Sequence, residues 1–390
     1  MKLRTSRSML AIYLLTLSLF MSIGHVEGFT SNPLSTKGRL GQHGKFGYHN
    51  SQATKPVSIP SSSTTKSRTG LQISTIQPVT VLSNPLFQDS APPVKKLGKI
   101  SSIVTKIGMM MYIASMCIAL PIALFPPFIL HRLGLISKMR QEQLSLSAGQ
   151  FCARWLLRMI PFCKIHAIPH RQNDPEPSIW VCNHTSQLDV FMLLAADKTL
   201  RGKAKRPIKI VYWKQLEDNP ITKLLFQQCG FIPVQMAANK AGEDNDYDVA
   251  SFKNLVKQAK KAFDEGFDIG ILPEGQLNPN PEESLMPCFP GAFTLARMSK
   301  RPIQMMALHG THRLWHARDD IGMTVTAREV RMRVYPNGRK YQSGDEFLAT
   351  FNAVVGHFAV KGFDLHPEEL ELWLKGDKWN ELKSADPANP

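Results

Sequence analysis

The chain of 390 residues carries 47 Lys and Arg against 31 Asp and Glu, a formal net charge of +16. Its hydrophobic content of 43% excludes a chain that is disordered throughout, because that much apolar sequence suffices for a buried core. Residues 1–100 hold 12 basic and 2 acidic residues, whereas residues 101–390 hold 35 and 29. A nucleic-acid-binding protein needs its basic face on the folded part, so this distribution argues against nucleic acid as a partner.

The six cysteines lie far apart in the sequence and none forms a C-x-x-C pair. This number is too small for a disulfide framework in a chain of this length. The spacing also lacks the ligand pattern of a structural zinc site, so we expect no metal and mostly buried, reduced thiols.

Residues 1–28 have the layout of a secretory signal peptide. The basic stretch MKLRTSR precedes an apolar run from Met9 to Ile23, and small residues follow it. Residues 29–98 are rich in Ser and Thr, and no Asp or Glu occurs between Gly28 and Gln88, which is typical of a transit peptide or a disordered segment. The two segments together resemble the bipartite plastid presequence of algae with secondary plastids. We therefore predict a plastid membrane as the location, with the endoplasmic reticulum membrane as the alternative.

Residues 99–165 are predicted to be a helical segment that anchors the chain in a membrane. The stretch from Ile107 to Leu130 contains no charged side chain, and a helix of this length spans about 36 Å, against a hydrocarbon core of about 30 Å. Pro126 and Pro127 favour a break or kink, so a hairpin in one leaflet and a full crossing both remain open. The following ARWLLRMIPF, residues 153–162, suits either an interfacial helix or a helix packed on the next domain.

From about residue 165 short β-rich runs alternate with helical stretches. The runs lie at 178–182, 208–213, 231–236, 267–272 and 302–308, and the helical stretches at 190–196, 220–228, 249–264 and 292–298. This alternation predicts an α/β domain over residues 166–340, with a mixed, mainly parallel sheet flanked by helices. The alternating segment 323–335 is expected to supply edge strands. A capping box, SGDE at 343–346, is expected to start the helices of a C-terminal segment, 341–390.

An imidazole and a carboxylate follow the strand IWVC within the sequence NHTSQLD, which runs from Asn183 through His184 to Asp189. At a strand-to-helix junction this spacing can place Asp189 against His184, orienting the ring and leaving its other nitrogen free to accept a proton from a hydroxyl. The pattern H-x-x-x-x-D is common by chance, and capping of the next helix would by itself explain Asp189.

A second polar group stands at the end of another predicted strand. Pro273, Glu274 and Gly275 directly follow Leu272, and ligand sites in α/β folds form where strands end. An ordinary turn would by itself account for this sequence.

In this order, with GFIPV at 230–234 between them and Pro302 opening a later strand, these blocks resemble the glycerolipid acyltransferase family typified by 1-acyl-sn-glycerol-3-phosphate acyltransferase. The resemblance covers about residues 165–320. It implies a membrane-bound enzyme that transfers an acyl group from acyl-CoA or acyl carrier protein to lysophosphatidate, making phosphatidate in phospholipid biosynthesis. Its partners would be the lipid substrate, the membrane and the acyl thioester as co-substrate, with no metal or organic cofactor. Catalytic residues would be His184 and Asp189, and substrate-binding residues Asn183, Pro273, Glu274 and Gly275.

The chain departs from the family pattern at the positions that are thought to hold the acceptor's phosphate. Met236 stands where the family has Arg, and Gln276 and Leu277 stand in place of Thr and Arg. A guanidinium fork suits a phosphate, which Met and Leu cannot replace. Another lysophospholipid or glycerol 3-phosphate therefore remains open as acceptor, and so does a catalytically inert lipid-binding scaffold.

Other cations are available to replace the missing arginines, although each is also explained as a surface charge. They are Lys214, Lys240, Arg297, Arg301 and Arg313. The segment HGTHRLWH at 309–316 collects three histidines, an arginine and a tryptophan after a predicted strand. It is either a head-group pocket or an ordinarily packed loop.

Overall fold

A computed structural model describes residues 79–81, 94–160, 163–169, 176–202, 205–235, 249–316, 325, 329–336 and 338–385. All of them belong to the unit Gln77–Pro390. The predicted signal peptide and most of the predicted transit segment lie outside the described residues, so the presequence and the plastid location stay predictions.

Eight strands occur within the described residues. They are β1 Val79–Val81, β2 Lys164–Ile168, β3 Ile179–Cys182, β4 Ile208–Trp213, β5 Ile232–Val234, β6 Asp268–Ile271, β7 Ile303–His309 and β8 Glu329–Val334. The helices are α1 Lys99–Arg132, α2 Lys138–Leu156, α3 Asp189–Arg201, α4 Pro220–Gln228, α5 Val249–Asp264, α6 Gly291–Ser299, α7 Gly344–Phe351, α8 His357–Lys361, α9 Pro367–Lys375 and α10 Asp377–Ser384.

The strands form one sheet in the order β1-β2-β8-β7-β3-β6-β4-β5. Every neighbouring pair is parallel except β7 and β8, which are antiparallel. This confirms the predicted fold class, a mixed and mainly parallel sheet flanked by helices. The parallel strands β3, β6 and β4 bring their carboxyl ends to one edge, where the predicted site residues lie.

The prediction of edge strands from residues 323–335 is wrong. Strand β8 lies inside the sheet, because β2 pairs with its other side and β1 pairs with β2. Its Val330, Met332 and Val334 are fully buried. Strand β1 comes from the segment assigned to the transit peptide, and β2 begins at Lys164, within the predicted membrane-anchoring segment.

The sheet separates two apolar layers. Helices α1 to α4 pack on one face, where Tyr112 and Leu120 of α1 are buried together with Leu225 of α4. Helices α5 to α9 cover the other face, around Phe347, Phe351 and neighbouring aliphatic side chains. The predicted helix start forms at α7, since Ser343 Oγ accepts a hydrogen bond from the Glu346 backbone N–H over 3.1 Å. The Glu346 carboxylate accepts from the Gln342 N–H at 2.7 Å, one residue before the N–H that a full capping box uses.

Helix α1 continues through all three of its prolines and ends at Arg132, so the break predicted at Pro126 and Pro127 does not occur. Its packing against α2 and α4 compensates for the backbone hydrogen bonds that proline removes. The opposite face is apolar and open, since Ile118, Ile122 and Phe125 are each more than half exposed. Among the described helices, α1 alone is long and apolar enough to cross a membrane.

Of the stretch 153–162, residues 153–160 are described, and they confirm the alternative of a helix packed on the next domain, whereas contact with lipid stays a prediction. Ala153 is fully buried, and Arg154 Nε donates to the Ala195 carbonyl of α3 over 3.1 Å, so this side packs on the domain. Trp155 stays 56% exposed, with the guanidinium of Arg158 over its ring at 4.9 Å. An exposed Trp beside a cation is also what an interfacial helix presents to lipid.

Candidate active site

His184 and Asp189 are in direct contact at the end of β3. The Nδ1 atom of His184 lies 2.9 Å from Asp189 Oδ2, and the histidine side chain is 20% exposed whereas the aspartate is fully buried. When Nδ1 carries the proton it donates to this carboxylate, which leaves the Nε2 lone pair free to accept one. The predicted pair is therefore assembled.

The local chain holds the Asp189 carboxylate in place. Asp189 is the first residue of α3, and its Oδ2 also accepts hydrogen bonds from the backbone N–H groups of Thr185 and Ser186, at 2.6 and 2.8 Å. These two backbone donors fix the orientation of the carboxylate toward the His184 ring. No side chain caps the start of α3, so the alternative in which Asp189 only caps that helix is wrong, and its carboxylate instead holds the histidine loop.

Glu274, predicted as a substrate-binding residue, holds the backbone of His184. Its Oε1 accepts a hydrogen bond from the His184 N–H at 2.6 Å and its Oε2 accepts one from the Met286 N–H at 2.9 Å. The Asn278 N–H donates to the His184 carbonyl at 2.9 Å, so one loop holds both backbone groups of the histidine. Burial raises the pKa of Glu274 to about 7, although the two backbone donors oppose that shift. No pattern in the sequence pointed to Asn278 or Met286.

Pro273 and Gly275 shape the turn that carries Glu274. The Gly275 N–H donates to the Leu272 carbonyl at 3.0 Å, and Gly275 has a φ of 66°, which side chains with a Cβ rarely adopt. The buried Pro273 accepts a hydrogen bond from the Phe289 N–H at 2.8 Å. Both residues therefore position the loop.

Asn183, also predicted to bind substrate, joins β3 to β7. It is fully buried, and its amide donates to the Leu308 carbonyl at 2.9 Å and accepts from the Leu308 N–H at 2.7 Å. Both ends of this side chain are engaged within the fold, so Asn183 holds the start of the histidine loop against the neighbouring strand.

The nearby hydroxyl and thiols are poor nucleophiles. Ser186 is fully buried, and its Oγ donates to the Trp315 carbonyl at 2.8 Å. Burial raises the pKa of the Cys182 thiol well above its usual value and that of Cys288 to about 12. A thiolate is the reactive form of cysteine, so neither residue supplies one near neutral pH.

The cations considered as replacements for the missing arginines have different surroundings. Lys214 and Arg297 are exposed, and Arg301 lies 3.1 Å from the exposed Glu176 on the surface. Arg313 is only 9% exposed and lies beside Glu282. Met236 and Lys240 fall outside the described residues. Gln276, which stands in place of the family's Thr, is exposed, and Leu277, which stands in place of its Arg, is partly exposed.

The segment 309–316 packs directly on the histidine loop. Thr311 Oγ1 lies 2.5 Å from Thr185 Oγ1, and Ser186 pairs with His316 through a β-bridge. His309 is buried against the Ala359 carbonyl, and burial lowers its pKa to about 4, so it is neutral near pH 7. Within the part of the chain that the structure describes, no group of three His, Cys, Asp or Glu side chains is arranged to hold a metal ion.

A small apolar cavity of about 40 Å³ lies between α3 and the sheet, and Val190, which directly follows Asp189, is among its lining residues. Cys182 and Leu272, which precede the histidine loop and the glutamate turn, line its near side, and Leu193 of α3 lines its wall. An apolar space at this place suits the hydrocarbon part of a substrate.

Part of the chain is similar to known proteins. Residues 164–309 match a family model described as Acyltransferase. No curated protein matches the chain. Among solved structures, a 1-acyl-sn-glycerophosphate (LPA) acyltransferase, PlsC, from Thermotoga maritima is similar, at 16% identity and a TM-score of 0.49, over 70% of this chain and 97% of that one.

Proposed function

We propose, from the match of residues 164–309 to the acyltransferase family model, that the protein transfers an acyl group from an acyl thioester to the free hydroxyl of lysophosphatidate. The product would be phosphatidate, a precursor in phospholipid biosynthesis. The observation that carries the proposal is the contact of His184 Nδ1 with the buried carboxylate of Asp189 at 2.9 Å.

This geometry supports a single-step transfer. His184 Nε2 takes the proton of the acceptor hydroxyl as the hydroxyl oxygen attacks the thioester carbonyl, and Asp189 stabilises the imidazolium that forms. The tetrahedral intermediate then expels the thiolate, which recovers the proton from His184. The new ester bond replaces the thioester bond, and the residues of the pair end as they began. The engaged hydroxyl of Ser186 and the high pKa values of Cys182 and Cys288 argue against an acyl-enzyme.

The apolar cavity supports an acyl donor on this side of the pair. Its walls come from side chains of α3 and of the strands β3, β4 and β7, such as Leu193, Ile210 and Met306. At about 40 Å³ it holds a few methylene groups as it stands, so a longer chain must displace side chains along α3. We propose that the acyl chain of the donor enters here.

The open apolar face of α1 supports a site at the membrane surface. Ile118, Ile122 and Phe125 recur at the spacing of one helical face and are 54%, 63% and 61% exposed. An exposed apolar patch of this extent favours lipid over water. We propose that this face enters the bilayer, from which the lipid acceptor reaches His184.

A panel of acceptors tests the proposal. The full chain and His184→Ala, both in detergent, receive labelled acyl-CoA or acyl carrier protein with lysophosphatidate, other lysophospholipids or glycerol 3-phosphate. We expect transfer to lysophosphatidate and a loss of about 10²- to 10⁴-fold in His184→Ala, the usual contribution of a general base.

Each other outcome has a distinct meaning. Transfer confined to another acceptor would keep the acyltransferase and overturn lysophosphatidate as its substrate. A folded chain without transfer to any acceptor would instead favour a lipid-binding scaffold. Equal thermal melting of the two proteins shows that His184→Ala remains folded.

A further inference from the structure

A buried arginine with unpaired donors lies at the carboxyl end of β7. The side chain of Arg313 is only 9% exposed. Its Nε and Nη1 atoms are buried and have no hydrogen-bond partner among the described residues. Buried guanidinium donors are normally paired, so these two donors are available to an anionic ligand.

The surroundings of Arg313 are rich in cationic and imidazole groups. His312 is 7% exposed, and its Nδ1 is also buried without a partner among the described residues. The ring of His309 lies 6.5 Å from that of His312, in an edge-to-face arrangement. Burial lowers the pKa of Arg331, and the nearby Arg313 lowers it further. An anion placed here would relieve the repulsion between the two arginines.

Within the described part of the chain, Glu282 is the one carboxylate in ion-pair contact with Arg313. A single oxygen, Oε1, lies 3.1 Å from His312 Nε2 and 3.5 Å from Arg313 Nη2. The glutamate itself is 63% exposed, so leaving this position would not uncover a buried carboxylate. This single oxygen leaves most of the donors of His312 and Arg313 unused, whereas a phosphate offers three oxygens to them.

The same two loops that hold His184 carry these residues. Glu282 belongs to the loop in which Asn278 donates to the His184 carbonyl. Arg313 follows Thr311, which contacts Thr185 next to His184. An anion bound between these loops would therefore lie on a ligand whose other groups reach the catalytic pair.

We propose that His312 and Arg313 bind the phosphate group of the acceptor lipid, and that the Glu282 carboxylate occupies the place of this phosphate in the free protein. This rests on the proposed function and adds to it the residues that replace the arginines absent at 236 and 277. Binding of the lipid exchanges the Glu282 carboxylate for the phosphate and releases the loop that carries Glu282.

The test measures binding in a background that does not turn over. The full chain with His184→Ala, in detergent, is titrated calorimetrically with short-chain lysophosphatidate, with the monoacylglycerol of the same chain and with coenzyme A. Arg313→Met, Arg313→Lys and Glu282→Gln are each compared in that background. Thermal melts identify any variant that fails to fold, and the exposed Glu282 gives a variant whose folding does not depend on a buried side chain.

Arg313→Met should weaken lysophosphatidate binding about tenfold or more and leave monoacylglycerol binding unchanged, with Arg313→Lys in between. Glu282→Gln should tighten lysophosphatidate binding severalfold, because a competing carboxylate is gone. Unchanged binding in both Arg313→Met and Glu282→Gln would overturn the proposal, and so would weaker binding in Glu282→Gln. If Arg313→Met weakens only coenzyme A binding, the site holds a phosphate of the donor and the acceptor assignment fails.

These results do not depend on catalysis. If the chain with an intact His184 transfers no acyl group and these affinities still change as expected, the anion site stands and the proposed function fails. If transfer to lysophosphatidate occurs and Arg313→Met leaves its affinity unchanged, the function stands and the anion site fails.

Discussion

The carboxylate of Glu274 accepts the backbone N–H of His184 over a distance of 2.6 Å, so the loop after β6 holds the histidine that follows β3. The second oxygen of Glu274 accepts the N–H of Met286. A fully buried carboxylate thus joins three chain segments at the site. Burial removes this carboxylate from water, and its two backbone donors only partly offset the free-energy cost of burying the charged form.

The first prediction concerns the pH dependence that follows from this burial. The folded protein raises the pKa of Glu274 from 4.5 to about 7, so it binds this proton more tightly than the unfolded chain does. The resulting stability is fully present below about pH 4.5 and is lost as the pH rises through about 7. Relative to Glu274→Gln, the protein should therefore lose on the order of 3 kcal/mol of unfolding free energy across this range.

Thermal melts of both proteins at half-unit steps of pH would measure this difference. The comparison cancels titrating groups that the two proteins share. A difference in melting temperature that is constant from pH 4.5 to 8 would contradict the raised pKa of Glu274.

The second prediction separates charge from shape at the catalytic pair. Asp189→Asn keeps an oxygen that can accept the Thr185 and Ser186 N–H groups but removes the charge that stabilises an imidazolium on His184. We expect kcat to fall about 10²- to 10⁴-fold, with little change in KM. Steady-state kinetics with the preferred acceptor would measure both constants.

Asp268→Asn is a matched control, because Asp268 is also buried and also accepts a backbone N–H, from Ser178. Asp268 begins β6, at the opposite end of the parallel strands from His184. Loss of its ion pair with Arg201 should therefore lower the melting temperature and leave kcat at saturating acyl donor unchanged, at temperatures where the variant is folded. An equal loss of kcat in both variants would mean that Asp189 acts through stability alone.

The third prediction concerns the apolar cavity and the acyl chain. Leu193→Phe narrows the cavity and should shift the preference toward shorter acyl donors, whereas Leu193→Ala widens it and should shift the preference toward longer ones. Each methylene is worth about 0.8 kcal/mol of burial, so a change of two carbons, about 1.6 kcal/mol, should alter relative kcat/KM about 15-fold. Competition between mixed-chain donors would measure this, and unchanged preference in both variants would exclude the cavity as the acyl site.

The fourth prediction concerns the membrane face of α1. Ile118→Lys with Ile122→Lys places two charges on its exposed apolar side and should weaken binding to phosphatidylcholine vesicles at least tenfold. Vesicle co-sedimentation would measure the bound fraction. The control, Asn352→Lys with Asn380→Lys, adds the same charge at two exposed polar positions of the C-terminal segment. If both pairs bind alike, this face does not enter the bilayer.

Local sequence determined much of the fold. The bounds of α4 and α5 agree with the predicted residues, because Asn219 caps α4 and apolar residues recur at helical spacing through α5. The contact of His184 with Asp189 was predictable for the same reason. Five residues at the end of a strand suffice to bring them together, and a few backbone N–H groups then fix the carboxylate.

Other features depend on segments that are distant in the sequence. The alternating pattern of β8 is the same in an edge strand and an interior strand, and only its pairing with β2 decides between them. From the sequence, Glu274 is predicted to bind a substrate at a strand end. In the structure the packing of two loops places its carboxylate against the His184 backbone N–H. Arg313 and Arg301 are equivalent in the sequence pattern. In the structure Arg313 is buried, with two donors that have no partner among the described residues, whereas Arg301 is partly exposed beside Glu176. The sequence by itself determined the local elements and the catalytic pair, whereas burial and the partners of each polar group arise from contacts between distant segments, which only the tertiary structure decided.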